Sequence, residues 1–598
     1  MNRVNDFAFK IATANGTGSA SANGLIMQAI FRMGVPVTGK NVFPSNIQGL
    51  PTWYEIRVSK QGYTARTAHF DLMVALNPAT YAKDVAEVGA NGWLLFDSTW
   101  PLDDRLQRPD VTYLGIPLAE MCNGAFKGIR ERILMKNIAY AGALAALLGI
   151  DTEVIRTLLN EKYGAKKALM DSNQKAVALG YDYATEHFSC PLPIHLEQMD
   201  ATKDAILIDG NTSAALGCLY AGATVGAWYP ITPATSLMEA FRGFCKKYRR
   251  DPETKKNLAC IVQAEDELAA IGMVIGAAWA GARAFTPTSG PGISLMNEFI
   301  GLAYYAEVPA VVFDVQRTGP STGMPTRTQQ GDLMLCAYAS HGDTRHICLY
   351  PSDPREAFEL AVQAFDLSER FQTPVFVLSD LDIGMNDWMV PKLTWDDSYR
   401  PDRGKVLTAD ELDKIKTYFR YLDSDGDGVT YRTYPGTHPK GAFFTRGSGH
   451  NRFGAYTEDA GEYQDVLDRI DRKIQSATKV IPAPLLKVKP GRKLGLVTIG
   501  GCHAACIEAM DLLATDGIEV DYMRVRGFPF GDDVRKFLES HEVNFVVEQN
   551  RDAQLRSLLM LETHVAIDKL ESVRYYGGFP MSASHVIAGV KAKLERAA

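Results

Sequence analysis

This 598-residue sequence has no long block of Lys or Arg, and its 63 basic residues are outnumbered by 70 acidic ones, leaving a net charge of −7. That removes the electrostatic footprint of a protein that grips nucleic acid or an anionic membrane. A bilayer-spanning run is lacking too. The most apolar stretch, residues 138–150, falls short of the roughly 20 residues a membrane helix needs and sits between charged helical segments. The N-terminus lacks an apolar signal core, so a cytoplasmic protein is expected. The nine cysteines are scattered. Only Cys502 and Cys506 stand close, and their spacing lacks the further thiolates that an iron–sulfur cluster requires. They read as small apolar residues sharing one helix face after the Gly500-Gly501 turn.

What is present is alternation of short apolar runs with helical periodicity, the pattern of α/β layers. The length predicts several domains. Residues 1–185 read as one α/β domain and 186–204, with its prolines, as a linker. Residues 205–386 read as a second α/β domain, 387–490 as a loop-rich insertion and 491–598 as a third strand–helix unit. Near the start, residues 7–12 precede Asn15-Gly16-Thr17-Gly18-Ser19-Ala20 and then a helix. This is not the dinucleotide fingerprint, because the third glycine falls late, at Gly24. Such a turn aims backbone N–H groups at a phosphate, so either a nucleotide-like ligand such as coenzyme A or a tight turn alone accounts for it.

Chemistry concentrates in the second domain. In Trp228-Tyr229-Pro230-Ile231-Thr232-Pro233-Ala234-Thr235, two prolines end an apolar run and are expected to expose the Thr232 and Thr235 hydroxyls, a placement that suits an anion. About thirty residues later, Glu265-Asp266-Glu267 opens a helix of small residues. Arg317 follows the apolar run 310–315, where a guanidinium can hold a carboxylate through two parallel hydrogen bonds. Asp423-Ser424-Asp425-Gly426-Asp427-Gly428 imitates two cation motifs and completes neither. The twelfth calcium-loop position is Tyr434 in place of Glu, and His450-Asn451 stands where a diphosphate–magnesium motif closes on paired asparagines. A turn without metal and a weak structural cation on Asp423, Asp425 and Asp427 are the two readings, and no metal ligand is assigned.

Taken with Arg317-Thr318-Gly319-Pro320-Ser321-Thr322-Gly323-Met324-Pro325-Thr326, these motifs resemble the α subunit of 2-oxoacid:ferredoxin oxidoreductases, most of all those acting on 2-oxoglutarate. The resemblance spans nearly the whole chain. It implies a multidomain α/β protein with a γ-type α/β domain, a thiamine diphosphate (TPP) pyrimidine-binding-like domain and a transketolase-C-terminal-like domain. It casts Glu267 as the acid that activates TPP by protonating its pyrimidine ring. Thr232 and Arg317 would take the oxoacid carboxylate, and Thr326 would contact cofactor or substrate. The TPP diphosphate, its magnesium and a [4Fe-4S] cluster would belong to a separate β subunit in an (αβ)2 assembly that passes electrons to ferredoxin. The expected reaction is oxidative decarboxylation of 2-oxoglutarate with coenzyme A to succinyl-CoA and carbon dioxide. The rival readings are the same chemistry on pyruvate or a branched-chain oxoacid, and a non-catalytic assembly subunit.

Overall fold

Buried β-branched runs become strands, and runs with 3.6-residue spacing become helices, in a computed structural model that describes residues 3–44 and 48–597. The chain divides into two units, one comprising residues up to Ile208 together with Asn386–Lys392, the other Asp209–Met385 with Leu393–Ala598. Among the described residues, no helix is long and apolar enough to cross a membrane.

The first unit is built on a six-stranded sheet. Its strands are β1 (Asp6–Ala14), β2 (Val37–Val42), β3 (Pro51–Ser59), β4 (Phe70–Ala75), β5 (Val88–Asp97) and β6 (Thr112–Ile116), in the order β2-β3-β1-β4-β5-β6. β1, β4, β5 and β6 run parallel, while β3 is antiparallel to its neighbours. Helices α1 (Ser19–Arg32), α2 (Ile129–Leu148) and α3 (Lys167–His187) flank it. From Asn137 to Leu148 every residue of α2 is buried, which explains why its apolar run was too short for a membrane yet long enough for a core helix.

Two expectations about chain boundaries are corrected here. The segment 186–204 is not a free linker, because Ile194–His195 pairs in parallel with Arg3–Val4 and Leu192, Ile194 and Leu196 are buried in the first unit's core. Ala205–Ile208, expected to open the second domain, instead pairs antiparallel with Trp388–Pro391 inside the first unit. The cause is long-range pairing, which a local apolar pattern cannot announce.

The second unit carries two sheets. In the larger lie β7 (Val225–Trp228), β8 (Cys260–Gln263), β9 (Ala284–Thr288), β10 (Ala310–Gln316), β11 (Ile347–Leu349) and β12 (Pro374–Asp380), ordered β8-β7-β9-β10-β12-β11 and parallel throughout. The helices that matter below are α4 (Gly210–Tyr220), α5 (Thr235–Tyr248), α6 (Glu267–Trp279), α7 (Gly290–Tyr305) and α8 (Pro354–Phe371), followed later by α9 (Ala460–Ser476). The last of these stands inside the stretch 387–490, where no periodicity was expected. Its apolar stripe is narrow, Val466, Ile470 and Ile474 against Tyr304, and charged residues dominate the centre of the rest.

The smaller sheet consists of β13 (Leu485–Lys487), β14 (Leu494–Ile499), β15 (Asp521–Val525), β17 (Val543–Glu548) and β18 (Leu570–Arg574), ordered β13-β15-β14-β17-β18. Only β13 is antiparallel. Between its strands, β16 (Gly527–Phe528) leaves to pair antiparallel with β11 on the larger sheet, so one stretch of chain joins both sheets. Glu356 on α8 fastens them, receiving hydrogen bonds from Arg524 and from Arg526 Nε at 3.0 Å. Despite the cost of burial, those two guanidinium groups hold the Glu356 carboxyl at about 2.

Candidate functional site

All parallel strands of the larger sheet end on the same edge, and the chain reverses its direction of travel across the sheet between β7 and β9. That is the switch point where open α/β sheets take ligands. The turn after β7 presents Thr232, the turn after β8 leads to Glu267, β9 runs into α7, and β10 ends at Arg317.

Each turn is fastened from below. Buried Asn211 on α4 donates through Nδ2 to the Pro233 carbonyl and to Ser236 Oγ, both at 2.8 Å, fixing the proline turn. The Ala264 amide donates to the Trp228 carbonyl at 2.8 Å, joining that turn to the acid segment. Of the three consecutive acids only Glu267 is turned inward, 6% exposed, while Glu265 lies in solvent and Asp266 caps α6 by accepting from the Ala269 amide at 2.7 Å. Glu267 can sit there because Gly292 has no side chain. A Cβ at that position would lie 2.9 Å from Glu267 Cγ and 1.9 Å from Thr288 Oγ1.

Arg317 Nη1 donates to the Thr232 carbonyl at 2.8 Å, so two of the expected residues are in direct contact. Its Nε is buried without a hydrogen-bond partner. Burial pulls the guanidinium below its usual value, and the nearby carboxyls of Asp332 and Glu267 oppose that pull. Thr232, Glu267 and Arg317 thus form one electrostatic cluster. Thr326 is placed differently, buried where its carbonyl accepts from Arg327 Nη1 at 2.8 Å in the loop closed by the Thr318 amide bonding to the Arg327 carbonyl. The Thr235 hydroxyl, expected to face an anion, donates instead to the Ile231 carbonyl at 3.2 Å, as the first turn of a helix allows.

Beside Arg317 opens a cavity of about 910 Å³, lined also by Gly290, Ser294, Asp332, Asn550 and Tyr576 among others. Asn550, Arg551 and Asp552, at the end of β17, contribute one wall. Gln330 holds it in place, its side-chain oxygen accepting from the Gln549 amide and its carbonyl from Asn550 Nδ2, both at 3.0 Å. Sequence reasoning missed Asp332 and its buried neighbour Asp314. The available signal was an Asp inside the apolar run 310–315, an unusual interior residue for a buried strand.

Elsewhere, the Asp423–Gly428 loop holds its own cation. Lys405 Nζ lies 2.7 Å from Asp425 and 2.8 Å from Asp427, while Asp423 accepts the Gly426 and Gly428 amides. Among the described residues, no group of three or more His, Cys, Asp or Glu could hold a metal ion. Cys502 and Cys506 are both fully buried at the turn into helix 503–515. In the first unit, the turn after β1 ends at Gly18, the α1 cap with φ 86°, beside a pocket of about 250 Å³ lined by Thr13, Thr17, Trp100, Arg132, Lys136 and Asn137.

Comparison with known proteins gives this architecture a class. A family profile described as pyruvate flavodoxin/ferredoxin oxidoreductase, thiamine diP-bdg, matches residues 216–404, and one described as pyruvate ferredoxin/flavodoxin oxidoreductase matches residues 8–183. The larger sheet and its strand-edge cluster therefore belong to a thiamine-diphosphate-binding domain. The subunit alpha of a 2-oxoacid:ferredoxin oxidoreductase 2 from Aeropyrum pernix is 30% identical over 99% of this chain and 98% of its own length. The 2-oxoglutarate synthase subunit KorA of Methanocaldococcus jannaschii is 33% identical over 56% of this chain and 86% of its own. A solved 2-oxoglutarate:ferredoxin oxidoreductase from Magnetococcus marinus, with 2-oxoglutarate, coenzyme A and succinyl-CoA bound, superposes with a TM-score of 0.89 at 27% identity, covering 99% of this chain and 100% of that one. This chain belongs to the 2-oxoacid:ferredoxin oxidoreductase family, whose full-length relatives here are named alpha subunits.

Proposed function

We propose that this chain is the subunit of a 2-oxoglutarate:ferredoxin oxidoreductase that binds the oxoacid carboxylate and the pyrimidine end of TPP. One observation carries the reading: Thr232, Glu267 and Arg317 converge on one strand edge, and Arg317 lines a cavity large enough for a cofactor and its substrate. When bound, TPP supplies the carbanion chemistry that splits the oxoacid. Glu267, buried at the first turn of α6, holds a proton against the pyrimidine ring. Arg317, with its unpartnered Nε, takes the oxoacid carboxylate beside Thr232. Thr326 steadies the loop that carries Arg317. The residues fit the cofactor's near end, since a buried acid, Glu267, stands beside a half-buried guanidinium at one strand edge.

A separate β subunit supplies the diphosphate–magnesium site and the [4Fe-4S] cluster in an (αβ)2 assembly, with ferredoxin as the acceptor. Coenzyme A enters from solution, and the pocket at the Gly16-Thr17-Gly18 turn, with Arg132 and Lys136, is the candidate for its phosphates. The choice of 2-oxoglutarate rests on the 2-oxoglutarate synthase relatives and the 2-oxoglutarate-bound neighbour. The test is reduction of a low-potential dye by the complex co-purified with this chain, fed 2-oxoglutarate or pyruvate, with and without coenzyme A. Coenzyme-A-dependent reduction favouring 2-oxoglutarate is expected. Reduction with pyruvate alone would discard the substrate, and none with any oxoacid would leave an assembly subunit.

A further inference from the structure

Behind Arg317 lies a pair of acids that the chemistry above does not use. Asp314, near the end of β10, is 0% exposed, and Asp332 stands on the cavity wall with its Oδ2 shut off from solvent. The two carboxyls lie close enough to act on each other's ionisation. Asp314 Oδ1 and Asp332 Oδ2 are both buried without a hydrogen-bond partner. Two carboxyls buried together with unpartnered oxygens do not both ionise, so the pair keeps one proton and a single negative charge. The neighbours do not supply a counter-charge on every side. Cys336 lies against Asp314 Oδ2 at 3.7 Å, Cys348 faces it from β11, and the Gly290 backbone closes over Asp332. The cations in reach are Arg317, which also faces Glu267, and Arg551 across the cavity, itself paired to Asp552.

We infer that the Asp314–Asp332 pair is a proton-linked regulator of oxoacid binding, taking a second proton from solvent when the substrate carboxylate docks on Arg317. The inference rests on the assignment of that carboxylate to Arg317. Its logic is charge balance. The pair already sets one negative charge beside Arg317, and a dianionic oxoacid adds charge of the same sign to that cavity wall. Protonating the pair relieves this, and Asp332, whose carboxyl burial pushes up to about 6, faces the cavity where a proton can enter. Asp314, shut away from solvent, retains the first proton. Asp332 is thus a positioning residue that acts through Arg317.

The test uses the whole complex loaded with TPP and titrated with 2-oxoglutarate. Calorimetry in two buffers of different ionisation enthalpy measures proton uptake on binding, a readout independent of turnover. About half a proton taken up per site near pH 7 is expected, with KM rising about threefold per pH unit, the half-proton share of a tenfold limit. Asp332→Asn should abolish the uptake, lower KM and flatten its pH profile. Asp314→Asn leaves Asp332 to ionise alone, so it should move the KM rise to lower pH, and it serves as the second variant if the first fails to assemble. Arg317→Gln separates the two claims. If it raises KM while both Asp variants leave uptake and pH profile as in the parent, the proton-linked pair is overturned and the carboxylate assignment stands. If Arg317→Gln leaves KM unchanged, the assignment itself falls, and this inference with it.

Discussion

The two ends of β10 bury acids in opposite ways. Just before its start, Glu307 is encircled by cations, with Arg469 Nη1 and Nη2 at 3.0 and 2.6 Å and Lys473 Nζ at 2.7 Å. Near its end, Asp314 meets another acid. Both are shut off from water, and burial alone would neutralise either. The cations hold Glu307 below the usual carboxylate range, whereas burial and then Asp332 push Asp314 well above it. The N-terminal edge of the sheet is therefore arranged for stability, and the C-terminal edge keeps an acid in an expensive state beside a cavity. Burial pushes both carboxyls toward the neutral form, the company each keeps opposes or adds to that push, and an unfavourable company marks chemistry.

Several measurements would break or sharpen that contrast. The largest effect is expected at the functional edge, where Glu267→Gln should lower turnover by about 10²- to 10⁴-fold, the range of a lost proton-holding group, with assembly intact. Unchanged turnover in an intact complex would remove Glu267 from the chemistry. At the opposite edge, Glu307→Gln should leave Arg469 and Lys473 buried without their anion and cost roughly 3–5 kcal/mol of unfolding free energy, read from the denaturant midpoint. A loss of catalysis without a loss of stability would reverse the roles assigned to the two ends. Arg317→Lys discards the planar fork and should cost about 2 kcal/mol, roughly thirtyfold in kcat/KM, through a raised KM.

The two kinds of acid also predict opposite pH behaviour. Glu307 and Glu356 have depressed values, so their stabilisation is complete above the unfolded value of 4.5 and disappears as pH falls, for Glu356 toward about 2. Asp314 and Asp332 have raised values, so their contribution weakens as pH rises from 3.8 through about 6. Denaturant midpoints between pH 2 and 8 should show both slopes, and Glu307→Gln should flatten only the acid one. The smallest effect is expected at Lys405, 21% exposed, whose removal from the Asp425 and Asp427 carboxylates should cost less than about 1 kcal/mol. A larger loss would show that the loop carries more than a solvated ion pair.

These features were unequally visible in the sequence. Strand–turn–helix order around Thr232 and Glu267 is local, written in two prolines, a strand end and an acid before small residues, and it was legible. Arg317 was placed by the end of its strand. Asp332 was not, because its partner Asp314 lies 18 positions earlier and the pair exists only once the loop folds back over β10. Thr235 misled for a local reason, since a threonine in a first helical turn can return its hydroxyl to the preceding carbonyls. The buried Glu307 cluster needs α9, a helix with too few apolar residues to stand out.

The antiparallel ribbon of 205–208 with 388–391 makes the first unit discontinuous in time as well as in sequence. Its closing strand emerges from the ribosome only after the strands and helices of the larger sheet have been made. At about 5–20 residues per second, that is a wait of roughly 10–40 s. During that interval Ala205–Ile208 lacks the strand it pairs with, so the first unit cannot close until Trp388–Pro391 arrives.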